Sequence, residues 1–168
     1  GLKWKTSDTN TPNTDSVVDS YANMQGALAS RINQHPAFKF CYEFRGGGYD
    51  DWLLAARDVW EVVYRNLKPT TDLNRSDGVG GFNENAIPPT GKYTTTNPPQ
   101  TSVAIFRYGG AESFHYSSSY GSYMLTSTQA NTGSAVIQLS DSGYQGPRPK
   151  TFDNRMIARP VRLVDITV

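Results

Sequence analysis

The sequence has very few of the residues from which disulfide frameworks and metal sites are built. A single cysteine, Cys41, excludes an intramolecular disulfide, and with only two histidines, His35 and His115, it is too little for a self-contained structural zinc site. No apolar run approaches the roughly 18 residues of a membrane span, so we expect no membrane insertion. The formal net charge is +1 over 168 residues, whereas nucleic-acid binders are usually more basic. We therefore expect no nucleic-acid partner.

The signatures of common catalytic sites are missing too. The sequence contains no G-x-S-x-G nucleophile elbow, no G-x-x-x-x-G-K-[ST] phosphate-binding loop and no H-E-x-x-H motif. The Asp50-Asp51 pair offers oxygen atoms to calcium, but adjacent carboxylates are more typical of a turn and the negatively charged start of a helix. The glycines from Gly46 to Gly48 favour a tight turn over a phosphate cradle. We expect no catalysis, no cofactor and no metal.

What the sequence does contain is typical of one globular domain. Hydrophobic residues make up 37% of the chain and aromatic residues 12%, with ten tyrosines, which is enough for a core in a chain of this length. We expect a single domain over residues 1–168. The abrupt start, Gly-Leu-Lys-Trp, indicates that this domain belongs to a longer protein.

Hydrophobic spacing predicts two helices in the first half of the chain. The first lies between Thr14 and Gln34, is capped by Thr14, Asp15 or Ser16, and ends at the His35-Pro36 pair. Its apolar stripe comprises Val17, Tyr21, Met24, Leu28 and Ile32. The second runs from Ala55 to Leu67 and is stopped by Pro69. We expect Trp60, Val63, Tyr64 and Leu67 on its buried side, and Arg57, Asp58, Glu61 and Arg65 on its solvated side.

Short strands are predicted around and after these helices. Leu2 and Trp4 indicate one strand, and the alternation of Phe38, Phe40, Tyr42 and Phe44 another. The segment from Lys68 to Gln100 is rich in glycine and proline and predicts a long loop, which is either functional or merely an ordered surface loop. Further strands are predicted at 102–106, 123–128, 135–139 and 158–166. Helices first and strands afterwards favour an α+β fold.

Several segments, taken in order, resemble one protein family. Residues 46–67, GGGYDDWLLAARDVWEVVYRNL, resemble the G-G-x-x-D-W-x-L-P-[SA]-x-[DE]-E-[LW]-x-x-L-Y motif of phage and bacterial domains of the Lcl C-terminal-like (major paralogous) type. MLTSTQ at 124–129 and ARPVRLV at 158–164 resemble the later Y-W-S-S-T-E and V-R-P-V-R signatures. The sequence departs from the family where Ala55 replaces a proline, Val59 an acidic residue and Leu125 a tryptophan.

The resemblance implies a C-type-lectin-like fold, with two helices packed on short twisted antiparallel strands that support long loops. It places Trp52, Leu54, Asp58, Trp60 and Tyr64 in the scaffold helix motif, and Arg159, Pro160, Val161 and Arg162 in the terminal strand. Related members include the variable proteins of diversity-generating retroelements, among them phage tropism determinants. The implied role is a receptor-binding display domain or adhesin at a virion surface, such as a tail tip, or at an extracellular cell surface. The E-P-N, Q-P-D and W-N-D triplets of calcium-dependent lectins are absent, so the fold does not imply lectin activity.

Two loop segments have the composition of adaptable binding surfaces. SFHYSSSYGS at 113–122 combines serine and tyrosine, and YQGPRPKTFDNR at 144–155 adds tyrosine, arginine, phenylalanine and polar residues. Tyrosine gives contact area with little entropy loss, and serine gives hydrogen bonds. We expect a cell-surface protein or glycan receptor to bind there, and an oligomeric form is compatible with this role. The predicted ligand-binding residues are Ser117, Ser118, Ser119, Tyr120, Tyr144, Arg148, Phe152, Asp153 and Asn154.

Three alternatives remain at this point. The loops are polar segments without function, the domain is an enzyme or carbohydrate-processing module on the same fold, or it is a structural tail or pilus module. The basic residues between 148 and 162 are also open to two interpretations. Arg148, Lys150, Arg155, Arg159 and Arg162 either serve an acidic or sulfated partner or, as we favour, stack and form ion pairs within the fold.

Overall fold

The computed structural model describes residues 1–74, 93–114 and 122–164, and within them the fold is a mixture of helices and short strands. This confirms the α+β class, with one helix more than predicted. The α-helices are α1 (Ser20–Ala29), α2 (Pro36–Glu43) and α3 (Arg57–Leu67). The strands are β1 (Leu53–Leu54), β2 (Tyr123–Gln129), β3 (Ser134–Leu139), β4 (Gln145–Pro149), β5 (Met156–Ile157) and β6 (Pro160–Val161).

The strands form two sheets of unequal size. The larger has the order β4-β3-β2-β5, in which only the β2-β5 pair is parallel, and the smaller pairs β1 with β6. β2 is buried on both faces: Leu125 packs with residues of α1 and α2, and Met124 packs with Trp60 of α3. The larger sheet therefore lies between α3 on one side and α1 and α2 on the other.

Helix α1 is shorter than the hydrophobic spacing predicts. It begins at Ser20, where the carboxylate of Asp19 accepts the backbone N–H of Ala22 at 2.9 Å as an N-cap. Met24 is buried as expected, but Tyr21 is 60% exposed, so its place on the buried stripe was wrong. A Cβ at Gly26 would lie 2.4 Å from the carbonyl oxygen of Asn13, which explains a glycine in mid-helix.

Helix α2 corrects the predicted strand over 37–44. Pro36 occupies its first turn, a position where the missing N–H costs nothing. The buried residues Ala37, Phe38 and Cys41 have helical spacing, whereas Phe40 and Tyr42 are exposed. The alternating aromatics therefore lie on different faces of a helix and do not define a strand face.

Helix α3 confirms the prediction in its apolar residues and ends before Pro69. Trp60 and Tyr64 are buried, and the indole N–H of Trp60 donates to the carbonyl of Leu125 at 3.0 Å. The solvated side was predicted wrongly, since Asp58 and Glu61 are buried. The Glu61 carboxylate accepts hydrogen bonds from the Tyr93 hydroxyl and, at 2.7 Å, from the amide nitrogen of Gln138. Those bonds compensate its desolvation.

Some of the remaining strand predictions are confirmed and others are wrong. The strands at 123–128 and 135–139 are confirmed by β2 and β3, but 102–106 contains a short 3-10 helix, Ala104–Phe106. Of 158–166 only β6 is a strand, Leu163 is exposed, and 165–166 lie outside the described residues. Leu2 and Trp4 form no strand, although their backbone N–H groups donate to the carbonyls of Met156 and Lys150.

Within the described residues, none of the helices combines the length and apolarity needed to cross a bilayer.

Candidate ligand-binding surface

The predicted ligand-binding residues fall into two groups. Ser117, Ser118, Ser119 and Tyr120 lie outside the described residues. The other five lie between residue 144, just before β4, and residue 154, in the segment before β5. Asp153 and Asn154 are exposed, and Tyr144, Arg148 and Phe152 are half-buried.

The half-burial of Arg148 follows from the register of β4. Arg148 pairs with Ala135 and Gly146 pairs with Ile137, and directly paired residues of antiparallel strands point to the same face. Ala135 and Ile137 are buried in the core. Because β4 is the last strand of its sheet in the described part of the chain, the Arg148 side chain lies over the rim of that core.

Tyr123 lies at the centre of this surface. The guanidinium carbons of Arg148 and Arg155 lie 5.3 and 5.0 Å from the centre of its ring, within the range of a cation-π interaction. Phe152 contacts the same ring edge to face, with ring centres 6.0 Å apart. We call these four residues the Tyr123 cluster. Three different segments, β2, β4 and the β4-β5 connection, therefore meet in one mixed aromatic and cationic surface.

Arg155 has an unusual backbone conformation. Its φ of 59° lies in the left-handed region, which is uncommon for a residue other than glycine. The carbonyl of Arg155 accepts the backbone N–H of Tyr123 at 3.0 Å, and its guanidinium donates to the Tyr123 hydroxyl at 3.3 Å. Such strain persists only where the surroundings hold it. These two bonds hold the Arg155 side chain against the ring.

Tyr144 lies against the glycine two residues later. A Cβ at Gly146 would lie 2.4 Å from the Tyr144 hydroxyl oxygen, so the tyrosine side chain occupies the space beside this glycine. The Tyr144 carbonyl accepts the N–H of Leu139 at 2.8 Å, which extends the β3-β4 ladder by one pair. The ring therefore sits beside the strand that carries Arg148.

The outer edge of β4 cannot donate backbone hydrogen bonds at two positions. Tyr144 and Lys150 bond to β3 or its flank, and the register makes residues 146 and 148 do the same. Residues 145, 147 and 149 therefore turn their backbone outward. Pro147 and Pro149 have no N–H, so the edge is a poor partner for another strand.

An open hollow of about 470 Å³ borders the surface on the side of Asp153. Its lining includes Asp153, Asn154 and Arg155 together with Met156 and Ile157. The Asp153 carboxylate lies 3.9 Å from the Lys3 ammonium, and both side chains are about half exposed. An exposed pair of this kind contributes little to stability. Because both side chains are about half exposed, both charges are accessible to a ligand.

All five basic residues between 148 and 162 have partners within the fold, as the favoured interpretation predicts: Arg148 and Arg155 stack on Tyr123, and the other three have polar partners. Lys150 is fully buried, and its ammonium donates to the carbonyls of Thr9 and Thr132 and to the side chain of Gln129. Burial lowers the pKa of Lys150 to about 8. The guanidinium of Arg159 pairs with Glu112, and that of Arg162 pairs with Asp51.

The Asp50-Asp51 pair was predicted to lie at the start of a helix. This is wrong, because α3 begins at Arg57. The hydrogen bond from Arg162 lowers the pKa of Asp51, and the Arg162 guanidinium lies 3.4 Å from the centre of the Tyr49 ring. Asp51 is thus an ion-pair partner of the terminal segment. The described ranges contain no group of three or more histidine, cysteine or acidic side chains placed to hold a metal ion.

Two groups capable of covalent or acid-base chemistry are both buried away from this surface. Cys41 has no exposed surface, and burial raises the pKa of its thiol. His35 is equally buried, its pKa is lowered by desolvation, and its ring nitrogens lie 3.0 Å from the Thr11 hydroxyl and 3.1 Å from the Arg31 carbonyl. Both residues pack beside Phe38 in the core and have structural roles.

The chain matches no protein-family model, no curated protein and no solved structure. The family resemblance therefore rests on the sequence motifs alone. The predicted set includes Tyr144, Arg148 and Phe152 but neither Tyr123 nor Arg155, which lie at the same surface. The available signal for Arg155 was its place among the basic residues, whereas Tyr123 needed the strand register.

Proposed function

We propose that this chain is a ligand-binding display domain that binds a cell-surface protein or glycan receptor without catalysis. The binding surface comprises Tyr144, Arg148, Phe152, Asp153 and Asn154 together with Tyr123 and Arg155. The motif resemblance extends the proposal to a C-type-lectin-like variable protein of a diversity-generating retroelement, displayed at a virion surface such as a tail tip or at an extracellular cell surface.

One observation carries the proposal. The five described residues of the predicted set lie on a continuous segment, and none of them is among the buried core residues. The core beneath is filled by other side chains, including Leu125, Ile137 and Met156. A surface of this kind can change its residues while the scaffold stays the same. The residue types are also those that dominate protein interfaces, namely tyrosine, phenylalanine and arginine.

One set of variants tests whether the surface residues are needed for binding but not for folding. Replacing Tyr144, Phe152, Asp153 and Asn154 together with alanine should abolish binding of the fluorescently labelled domain to a panel of bacterial cell surfaces. The substitutions at the exposed Asp153 and Asn154 should each change the free energy of unfolding by no more than about 0.5 kcal/mol. Equal binding by the native and quadruple-alanine domains would contradict the proposal.

The retroelement assignment has its own test in the coding DNA. A nearby reverse-transcriptase gene, with a template repeat matching the part of the gene that encodes residues 144–154, is the expected result. Sequences from related isolates should then differ mainly at those codons. Variation spread evenly over the core helices would remove this assignment while leaving the binding function to the first experiment.

A further inference from the structure

We propose that the Tyr123 cluster binds the carboxylate of an aspartate or glutamate side chain on a partner protein, and that Arg148 is the residue that receives it. This inference rests on the proposed function, because it names the chemistry of the ligand for the same surface. For Arg148 alone, it selects the interpretation in which a basic residue of the 148–162 segment serves an acidic partner.

The charge of Arg148 is not neutralised within the described structure. Its guanidinium donates to the carbonyl of the adjacent Pro147 at 2.9 Å and lies against the Tyr123 ring, but it forms no ion pair with any described carboxylate. Arg159 and Arg162, by contrast, each pair with an acidic residue. A guanidinium has five N–H donors, so Arg148 retains donors for a ligand.

The position of Arg148 makes an added carboxylate favourable. The side chain is half-buried at the rim of the core, where ion pairs are screened less than on an open surface. The Tyr123 ring restricts the guanidinium, so less conformational entropy is lost when a ligand binds. The planar fork of arginine matches the two oxygens of a carboxylate.

The surroundings favour a protein over other sources of the anion. Phe152 contacts the Tyr123 ring on which the Arg148 guanidinium stacks, and Tyr144 directly precedes the strand that contains Arg148. Such aromatic residues near an arginine are typical of the energetic centre of protein interfaces. The nearby acidic residue Asp153 lies toward Lys3. The proline-blocked edge of β4 disfavours recognition by strand addition, so a side chain of the partner must supply the contact.

The test uses a displayed library of random dodecapeptides selected on the intact domain. We expect the selected peptides to contain aspartate or glutamate, and their amide counterparts, with Gln for Glu or Asn for Asp, to bind about tenfold more weakly. Arg148→Gln should weaken binding to a similar extent, and Arg148→Lys, which keeps the charge and loses the fork, should weaken it less. Arg45→Gln is the matched control, because Arg45 is exposed and lies on another segment. The Arg45→Gln domain should bind the selected peptides with the same affinity as the native domain.

Other outcomes would contradict the carboxylate assignment, the protein partner or the binding function itself. Peptides that require Phe152 and Tyr144 but neither an acidic residue nor Arg148 would overturn the carboxylate assignment and leave the binding function intact. Peptides insensitive to all of these variants, or the failure to select any peptide, would count against both. Binding of sulfated dextran, but of no acidic peptide, with loss in Arg148→Gln would show a glycan site and overturn the protein partner.

Discussion

Substitution of Trp60 tests the packing of α3, on which the position of the larger sheet depends. Trp60 is 1% exposed and contacts Phe114 edge to face, with ring centres 6.1 Å apart. It also packs against Met124, and its N–H donates to the carbonyl of Leu125. Trp60→Ala leaves a cavity that the rigid strand β2 cannot fill, so we expect a loss of about 3–5 kcal/mol in the free energy of unfolding.

The magnitude divides into a packing part and a hydrogen-bond part. Trp60→Phe keeps most of the apolar contact but removes the donor to Leu125, so it should cost about 1–2 kcal/mol for that bond together with some packing. For a domain of this size, each kcal/mol corresponds to roughly 2–4 °C in melting temperature. Trp60→Ala should therefore lower the melting temperature by roughly 6–20 °C, as measured by circular dichroism and by urea unfolding.

A control on the same helix makes the result interpretable. Val62 is 39% exposed, and Val62→Ala should change the free energy of unfolding by less than about 0.5 kcal/mol. An unchanged melting temperature for Trp60→Ala would refute the assignment of the buried face of α3. Equal losses for Trp60→Ala and Trp60→Phe would refute the division into packing and hydrogen bonding.

Three further predictions concern the scaffold. Gly26→Ala should destabilise the domain in thermal unfolding, despite the better helix propensity of alanine, because its Cβ would lie 2.4 Å from the Asn13 carbonyl oxygen; a higher melting temperature would contradict this. The pKa of Lys150 is about 8 in the folded state against an ordinary lysine value of 10.5, so between these pH values the unfolded chain binds more protons. The contribution of Lys150 to stability therefore rises with pH over this range, by at most about 1.4 kcal/mol per unit. Urea unfolding of the native domain should show this rise relative to Lys150→Met, and equal slopes would exclude it. Chelation with EDTA should leave the melting temperature unchanged, since Asp51 is held by Arg162, and a fall of several degrees would reveal a structural metal.

Local sequence patterns predicted the parts of the fold in which one periodicity is clear. The spacing of Trp60 and Tyr64, with Pro69 beyond them, identified α3 because no strand pattern competes there. The segment of α2 fits two patterns at once, and its aromatic alternation concealed the helical spacing of Phe38 and Cys41. Pro36 was interpreted as the end of the preceding helix, although a proline is equally well suited to the first turn of a new one.

Burial of charge was the harder prediction, because it depends on partners distant in the sequence. Glu61 has the appearance of a solvated helix residue, yet its partners Tyr93 and Gln138 are 32 and 77 residues away. The same applies to the candidate surface. Its composition was recognisable in residues 144–154, but its centre at Tyr123 follows only from the pairing of β2 with β3 and β5.

The two prolines at the outer edge of β4 have a consequence for how such a domain tolerates change. A sheet edge that accepts a strand from another molecule is a starting point for fibrils and precipitates. With Pro147 and Pro149 lacking outward N–H groups, neighbouring copies cannot form a complete hydrogen-bond ladder along this strand. New side chains can then appear beside the edge, at 144 or from 152 to 154, without opening a route to polymerisation. Close packing of many copies should therefore not lead to strand pairing along this edge.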